Sequence, residues 1–167
     1  MAKLLSRKLG VGMLGGGELL RKIAIGAGYR PAGAGWWDSD EGMRFLYERE
    51  NDQRFDREAD RRMIERIKRG SVVVTSYTMP WLSDNGLKVW LDASKGVRAA
   101  RMARRDGISA GLARRIIGER DAMNYELYRN LYGIKLGRDK KPFDVIINTY
   151  GMTAGQVARD ILKRIKE

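Results

Sequence analysis

The 167-residue chain contains no cysteine and no histidine. Without thiols there is no disulfide framework and no thiolate metal centre. Without imidazole there is no histidine ligand and no Ser-His nucleophile pair. Chemistry in such a chain falls to arginine, lysine and carboxylates. No apolar run approaches the roughly 20 residues of a membrane span, and the start of the chain lacks a secretory hydrophobic region, which predicts a cytoplasmic protein with no membrane partner. Acidic residues are also in deficit: 21 Asp and Glu stand against 33 Lys and Arg, giving a formal net charge of +12 and a sequence pI near 10.2. A surface of that sign draws polyanions, so phosphates, nucleotides and RNA are the expected partners. The same balance also suits solvated helices that bind nothing. The length predicts one domain with a real core.

What is present alternates between two periodicities. Residues 2 to 9, AKLLSRKL, set Leu4, Leu5 and Leu9 on one helical face and Lys3, Arg7 and Lys8 elsewhere, and Gly10 follows in a helix-stop position. VGML is a short strand-like link to a helix from about 18 to 27. GYRPAGAGWWDSDEG is irregular and glycine-rich, which predicts a loop. Helices are expected around 42 to 49 and 54 to 69. SVVVTSY, LKVWLDA and FDVIINT have the apolar, β-branched character of buried strands. Helices at 94 to 105 and 109 to 131, both Arg-rich, and at 153 to 165 complete the pattern. In the last helix Thr153 is the expected N-cap, and Val157, Ile161, Leu162 and Ile165 share a stripe. Strands alternating with helices predict an α/β fold with a parallel sheet and helices on both faces.

The most conspicuous stretch, KLGVGMLGGGELLRK, contains a formal G-x-G-x-x-G at Gly10, Gly12 and Gly15. A dinucleotide loop requires a strand entering the glycines and a helix leaving them, so that the pyrophosphate meets a helix N-terminus. Here a helix enters. The other phosphate loop, G-x-x-x-x-G-K-[ST], is absent too, because no glycine in the chain is followed directly by lysine. The glycines therefore read as a helix stop and a tight strand-to-helix turn.

LKVWLDASKGVRAARMARRDGIS, ERDAMNYELYRNLYGIKL and FDVIINTYGMTAGQVARDIL, in that order, resemble the nucleoside monophosphate kinases, and specifically the archaeal type of cytidylate kinase. Taken in that register, AKLLSRKLG resembles the helix that follows the family's P-loop. LGGGELLRKIA resembles its second strand and monophosphate-binding helix, and NDQRFDREADRRM its segment with two Asp residues four apart. The resemblance implies a P-loop nucleoside monophosphate kinase fold whose first strand and phosphate loop would precede Met1. It implies a helical acceptor-binding insertion at about 30 to 69 and a lid at about 101 to 118. The implied substrates are ATP, with Mg²⁺ on its phosphates, and CMP or dCMP. A chain without the loop is expected to be nearly inactive; the alternative is a degenerate member that uses its basic surface on RNA.

Phosphoryl transfer needs donor and acceptor aligned and the migrating charge neutralised by cations. Arginines accordingly cluster between 98 and 120. Arg101 and Arg105, four apart on one face, match lid positions, and Arg120 matches the Arg of the family's E-R-[DE] helix; these three are the expected catalytic residues. Arg98 and Arg104 read as solvated. The expected nucleotide-binding residues are Gly17, Arg21, Asp56, Asp60, Asp121 and Asn124. Arg21 matches the acceptor-phosphate arginine. Asp56 and Asp60 share a helical face, where they either accept from a cytosine amino group or form surface charge with Arg57 and Arg61. Trp36, Trp37, Trp81 and Trp90 read as core or lid packing, and Tyr125, Tyr128 and Tyr132 as core. Thr75, Ser76 and Tyr77 stand where the family carries Glu-Gly-Arg or Glu-Ser-Arg, and Asn124 and Leu127 where it carries a base-reading Asp and an Arg. The acceptor is thereby left open among CMP, dCMP, UMP and AMP.

Overall fold

The computed structural model describes residues 1–31 and 36–165. It divides into two compact units, one built from residues 1–20, 57–92 and 140–167 and the other from 21–56 and 93–139.

The first unit is the parallel α/β part. Helix α1 (Ala2–Leu9) ends at Gly10, whose left-handed φ of 67° lets Gly10 and Val11 donate back to the carbonyls of Arg7 and Ser6. β1 (Gly12–Gly15) pairs in parallel with β2 (Val72–Thr75), Gly12 lying opposite Val72. β3 (Val89–Asp92) pairs in parallel with β4 (Val145–Asn148), Val89 lying opposite Val145. Both pairs rest on one aliphatic cluster. Leu5 of α1, Val145 and Ile147 of β4, and Val157, Ala158 and Ile161 of α8 (Ala154–Ile165) are buried together, with Val73, Val89 and Leu91 packed against them. Thr153 caps α8 as expected, its hydroxyl accepting from the Gln156 amide.

The strands are less buried than their sequences predict. β2 and β3 are half-buried along most of their length, and on β4 only Val145 and Ile147 reach the core while Ile146 is half exposed. The reason is topological: among the described residues each strand has a single strand neighbour, and the two pairs form two separate sheets. On the face away from α1 and α8, Trp90 lies beside Ile146, and Phe143 is wedged edge-on between Trp81 and Trp90. The ends of the apolar stripes also fray outward, Leu9 and Ile165 being exposed.

The second unit is helical. α6 (Lys95–Asp106) and α7 (Ala110–Tyr132) form a hairpin sealed by Ala99, Met102, Ala113 and Ile117. Ser94 and Ser109 cap the two N-termini, and Gly107 and Gly133 close the C-termini with positive φ. The other core of this unit is aromatic. Phe45 of α3 (Asp40–Asn51) is fully buried, with the rings of Tyr29, Trp36, Trp37 and Phe55 centred 5.0 to 6.1 Å away. Part of the predicted loop at 28 to 42 is therefore ordered packing: Trp36–Asp38 form a 3-10 turn and α3 begins at Asp40, residues 32–35 lying outside the described residues. Gly42 makes this possible, because a Cβ there would sit 2.0 Å from the Trp36 carbonyl oxygen. Helices α2 (Gly16–Gly26) and α4 (Arg54–Lys68) carry residues of both units. A one-turn helix, α5 (Met79–Leu82) with Pro80 in its first turn, separates β2 from β3.

Candidate active site

In a parallel α/β sheet, ligands gather outside the carboxyl ends of the strands, which in the first unit are Gly15, Thr75, Asp92 and Asn148. β1 runs directly into α2, so Gly17 sits exposed in that helix's first turn. Helix α1 does enter the Gly10–Gly15 stretch, and β1 lies within it, so no strand precedes Gly10 as the dinucleotide reading requires.

After β2 the chain turns through a hydroxyl and carboxylate relay. The Ser76 hydroxyl accepts from the amides of Thr78 (3.0 Å) and Met79 (3.2 Å), and the Thr78 hydroxyl donates to Asp60 at 2.6 Å. Since the Thr78 proton is committed to Asp60, the 3.0 Å contact between the two hydroxyls is a Ser76 donation. Asp60 and Thr78 are buried, so Asp60 is no part of a surface charge pattern. Arg61 turns away from it to Glu58 and Glu65. At the end of β3 the Asp92 carbonyl accepts from both the amide and the hydroxyl of buried Thr149, at 2.9 and 3.0 Å, while its carboxylate takes the Trp90 indole N–H and faces Lys140.

The second unit holds the remaining candidates. Arg21 donates to the Pro31 carbonyl at 2.7 Å. Asp56 is buried and gripped from two sides of a fork by Arg49, at 2.9 and 2.6 Å, with the Tyr128 hydroxyl 3.0 Å from the same guanidinium and 3.3 Å from the carboxylate. Surface charge with Arg57 is thus excluded for Asp56 as well. Burial pulls the Arg49 pKa down, but Tyr128 and Asp56 outweigh it and hold the group above its ordinary value. Sequence reasoning missed Arg49. Its signal was an arginine seven residues before Asp56 within an aromatic-rich segment.

On the hairpin, Arg98 of α6 pairs through two bonds, 2.8 and 2.7 Å, with Asp121 of α7. Arg98 is therefore braced and not merely solvated. Asn124 is buried with its amide donated to the Arg120 carbonyl at 2.7 Å. Arg105 is exposed and holds Asp106, whose carboxyl it keeps below the usual range. Arg101, Arg104, Arg114 and Arg115 also lie on the exposed surface of the hairpin. Of the three tyrosines expected in the core only Tyr128 is buried, Tyr125 and Tyr132 being half-buried, and Leu127 is buried too.

Parallel strand pairs under a helical layer, with a helical unit whose hairpin exposes a row of arginines, define an α/β protein of the P-loop nucleoside monophosphate kinase type. Residues 1–150 match the model of the cytidylate kinase-like family, and the chain belongs to that family. It is 39% identical over 148 residues to the cytidylate kinase of Pyrococcus furiosus, covering 83% of this chain and 77% of that protein. Identity to the cytidylate kinase of Pyrobaculum arsenaticum is 29% over 161 residues, 95% of this chain and 81% of that one. With the cytidylate kinase of Pyrococcus horikoshii it rises to 48% over 95 residues, where the match spans about half the length of the relative, 49%, and 56% of this chain. No helix among the described residues is long and apolar enough to cross a membrane.

Proposed function

We propose that this chain is the acceptor and lid portion of a kinase that transfers the γ-phosphoryl group of ATP to CMP or dCMP. The observation that carries the reading is the α6–α7 hairpin. Its apolar face is spent on packing, so Arg101, Arg104, Arg105, Arg114 and Arg115 are presented outward, as charge neutralisation of a transferring phosphoryl group requires. The relatives named cytidylate kinase supply the acceptor. Arg101, Arg105 and Arg120 are the transfer residues in this proposal; Gly17, Arg21, Asp60, Asp121 and Asn124 serve the acceptor side. Asp56 acts there through Arg49, its oxygens being engaged. Among the described residues no group of three or more carboxylates is placed to hold a metal ion. Mg²⁺ would then be held chiefly by the donor's phosphates, as it commonly is, and its chemistry would be to bridge them.

The donor loop is proposed to come from outside residues 1–167. No G-x-x-x-x-G-K-[ST] occurs in the chain, and β2 and β3 each keep one edge without a strand neighbour among the described residues. One further parallel strand, paired with both, would join the two sheets and lead into such a loop. The test is ADP release with ATP and each of CMP, dCMP, UMP and AMP. The 167-residue chain is expected to be nearly inactive. A form extended before Met1 by a strand and phosphate loop should turn over CMP or dCMP best, and Arg101→Ala or Arg105→Ala should lower its kcat/KM by about 10²–10³. Robust CMP-dependent ADP release by residues 1–167 alone would overturn the donor-loop proposal, and an extended form that prefers AMP would overturn the acceptor.

A further inference from the structure

One charged surface involves none of the candidate site residues. α1 and α8 together carry six basic residues, Lys3, Arg7, Lys8, Arg159, Lys163 and Arg164, against one acidic residue, Asp160. All six are exposed, and among the described residues none makes an ion pair. Elsewhere in the same unit Lys68 and Arg69 are likewise exposed, at one end of α4, but the middle of that helix is different. On α4, Arg61 and Arg62 are neutralised by Glu58 and Glu65 at 2.5 to 2.9 Å. On α1 and α8, by contrast, a single acidic residue accompanies six cations.

We infer that the outer face of the α1–α8 layer is a docking surface for the phosphate backbone of double-stranded RNA. The two helices are packed side by side through Leu5, Val157, Ala158 and Ile161. Packed helices lie about 8–10 Å apart. On each, a basic pair four residues apart, Lys3 with Arg7 and Arg159 with Lys163, repeats at about 6 Å along the axis. The result is two short rows of cations on neighbouring helices that share one core cluster. The deep, narrow major groove of A-form RNA brings two phosphate lines close to one another, and two rows of this spacing straddle it. No aromatic side chain lies on either helix to stack an unpaired base, which disfavours single strands. A membrane surface is disfavoured because the apolar faces of both helices are consumed by the core, leaving no stripe to insert.

The test is fluorescence anisotropy of a 20-base-pair labelled RNA duplex with the whole 167-residue chain, at 50 to 200 mM salt. Log affinity should fall against log salt with a slope of about −4 to −5, reflecting four to six phosphate contacts. Lys3→Glu/Arg7→Glu should weaken binding at least tenfold. Lys163→Glu/Arg164→Glu should do the same from the other helix, so that misfolding of one variant leaves the other to decide. Arg129→Glu/Lys135→Glu, with the same change of net charge placed in the other unit, should weaken it less than threefold. The inference is overturned if the duplex fails to bind at 100 mM salt or if all three variants lose affinity equally. It is overturned also if the matching DNA duplex, or vesicles containing 30% phosphatidylserine, bind as tightly as the RNA. None of these outcomes depends on turnover of CMP, so failure here and failure of the kinase reading are distinguishable.

Discussion

The two units bury their side chains by different means. The strand unit relies on aliphatic residues from three strands and two helices, with its buried Asp60 on α4 paired to Thr78 in the turn after β2. The helical unit surrounds Phe45 with aromatic rings and places an ion pair, Arg49 with Asp56, in the same region, both residues less than 4% exposed. An aliphatic core tolerates small losses because each methylene contributes a little. A buried ion pair does not, since removing one partner strands the other charge away from water. The helical unit is the more brittle of the two.

That contrast can be broken most severely at Arg49. Arg49→Ala should cost about 3–5 kcal/mol, while the double change Arg49→Met/Asp56→Leu, which removes both charges, should cost less than the single one. Denaturant unfolding measures this. Each unit carries its own pair of tryptophans, Trp36 and Trp37 in one and Trp81 and Trp90 in the other, so variants with Phe at one pair report on the other unit alone. The loss should appear first in the Trp36 and Trp37 signal. A smaller effect is expected in the strand unit. Thr78→Val removes the donor to buried Asp60 and should cost about 1–3 kcal/mol, read through Trp81 and Trp90. The smallest concerns half-buried Glu58. Its pKa is held down to about 2 by hydrogen bonds from Arg61 and Arg62. A depressed carboxylate favours the folded state above its unfolded pKa of 4.5, and that contribution fades as the pH falls from there toward 2. Glu58→Gln should flatten the acid limb of a Tm-against-pH profile in that window, lowering Tm slightly at pH 7 and converging with the parent protein near pH 2.

Much of this was legible from residue order. The α1 stop at Gly10, the four strands and the Arg-rich hairpin follow from periodicity and from left-handed glycines at helix ends, which are local effects. The outward placement of the arginines at 101, 104, 105, 114 and 115 follows from the same periodicity. Burial was not. Asp56 and Asp60 sit in a helix whose composition looks solvated, and only contacts with Arg49, seven residues away, and Thr78, eighteen away, take them inside. The tightly packed turn at Trp36 was hidden for the same reason, because glycine and tryptophan together look irregular until Gly42 is seen admitting the Trp36 carbonyl. The Arg98–Asp121 brace joins two helices across 23 residues, and no local pattern encodes it.

Pairing each strand with a single strand neighbour among the described residues has a practical outcome for anyone handling the protein, and β2 and β3 illustrate it. Val72–Thr75 and Val89–Asp92 present rows of backbone amides and carbonyls flanked by valine, leucine and tryptophan. Such rows recruit whatever extended polypeptide is nearby. A concentrated solution of residues 1–167 will therefore thicken into edge-to-edge aggregates, and colloidal behaviour, measured by light scattering, becomes a direct report on whether those backbone groups have been satisfied.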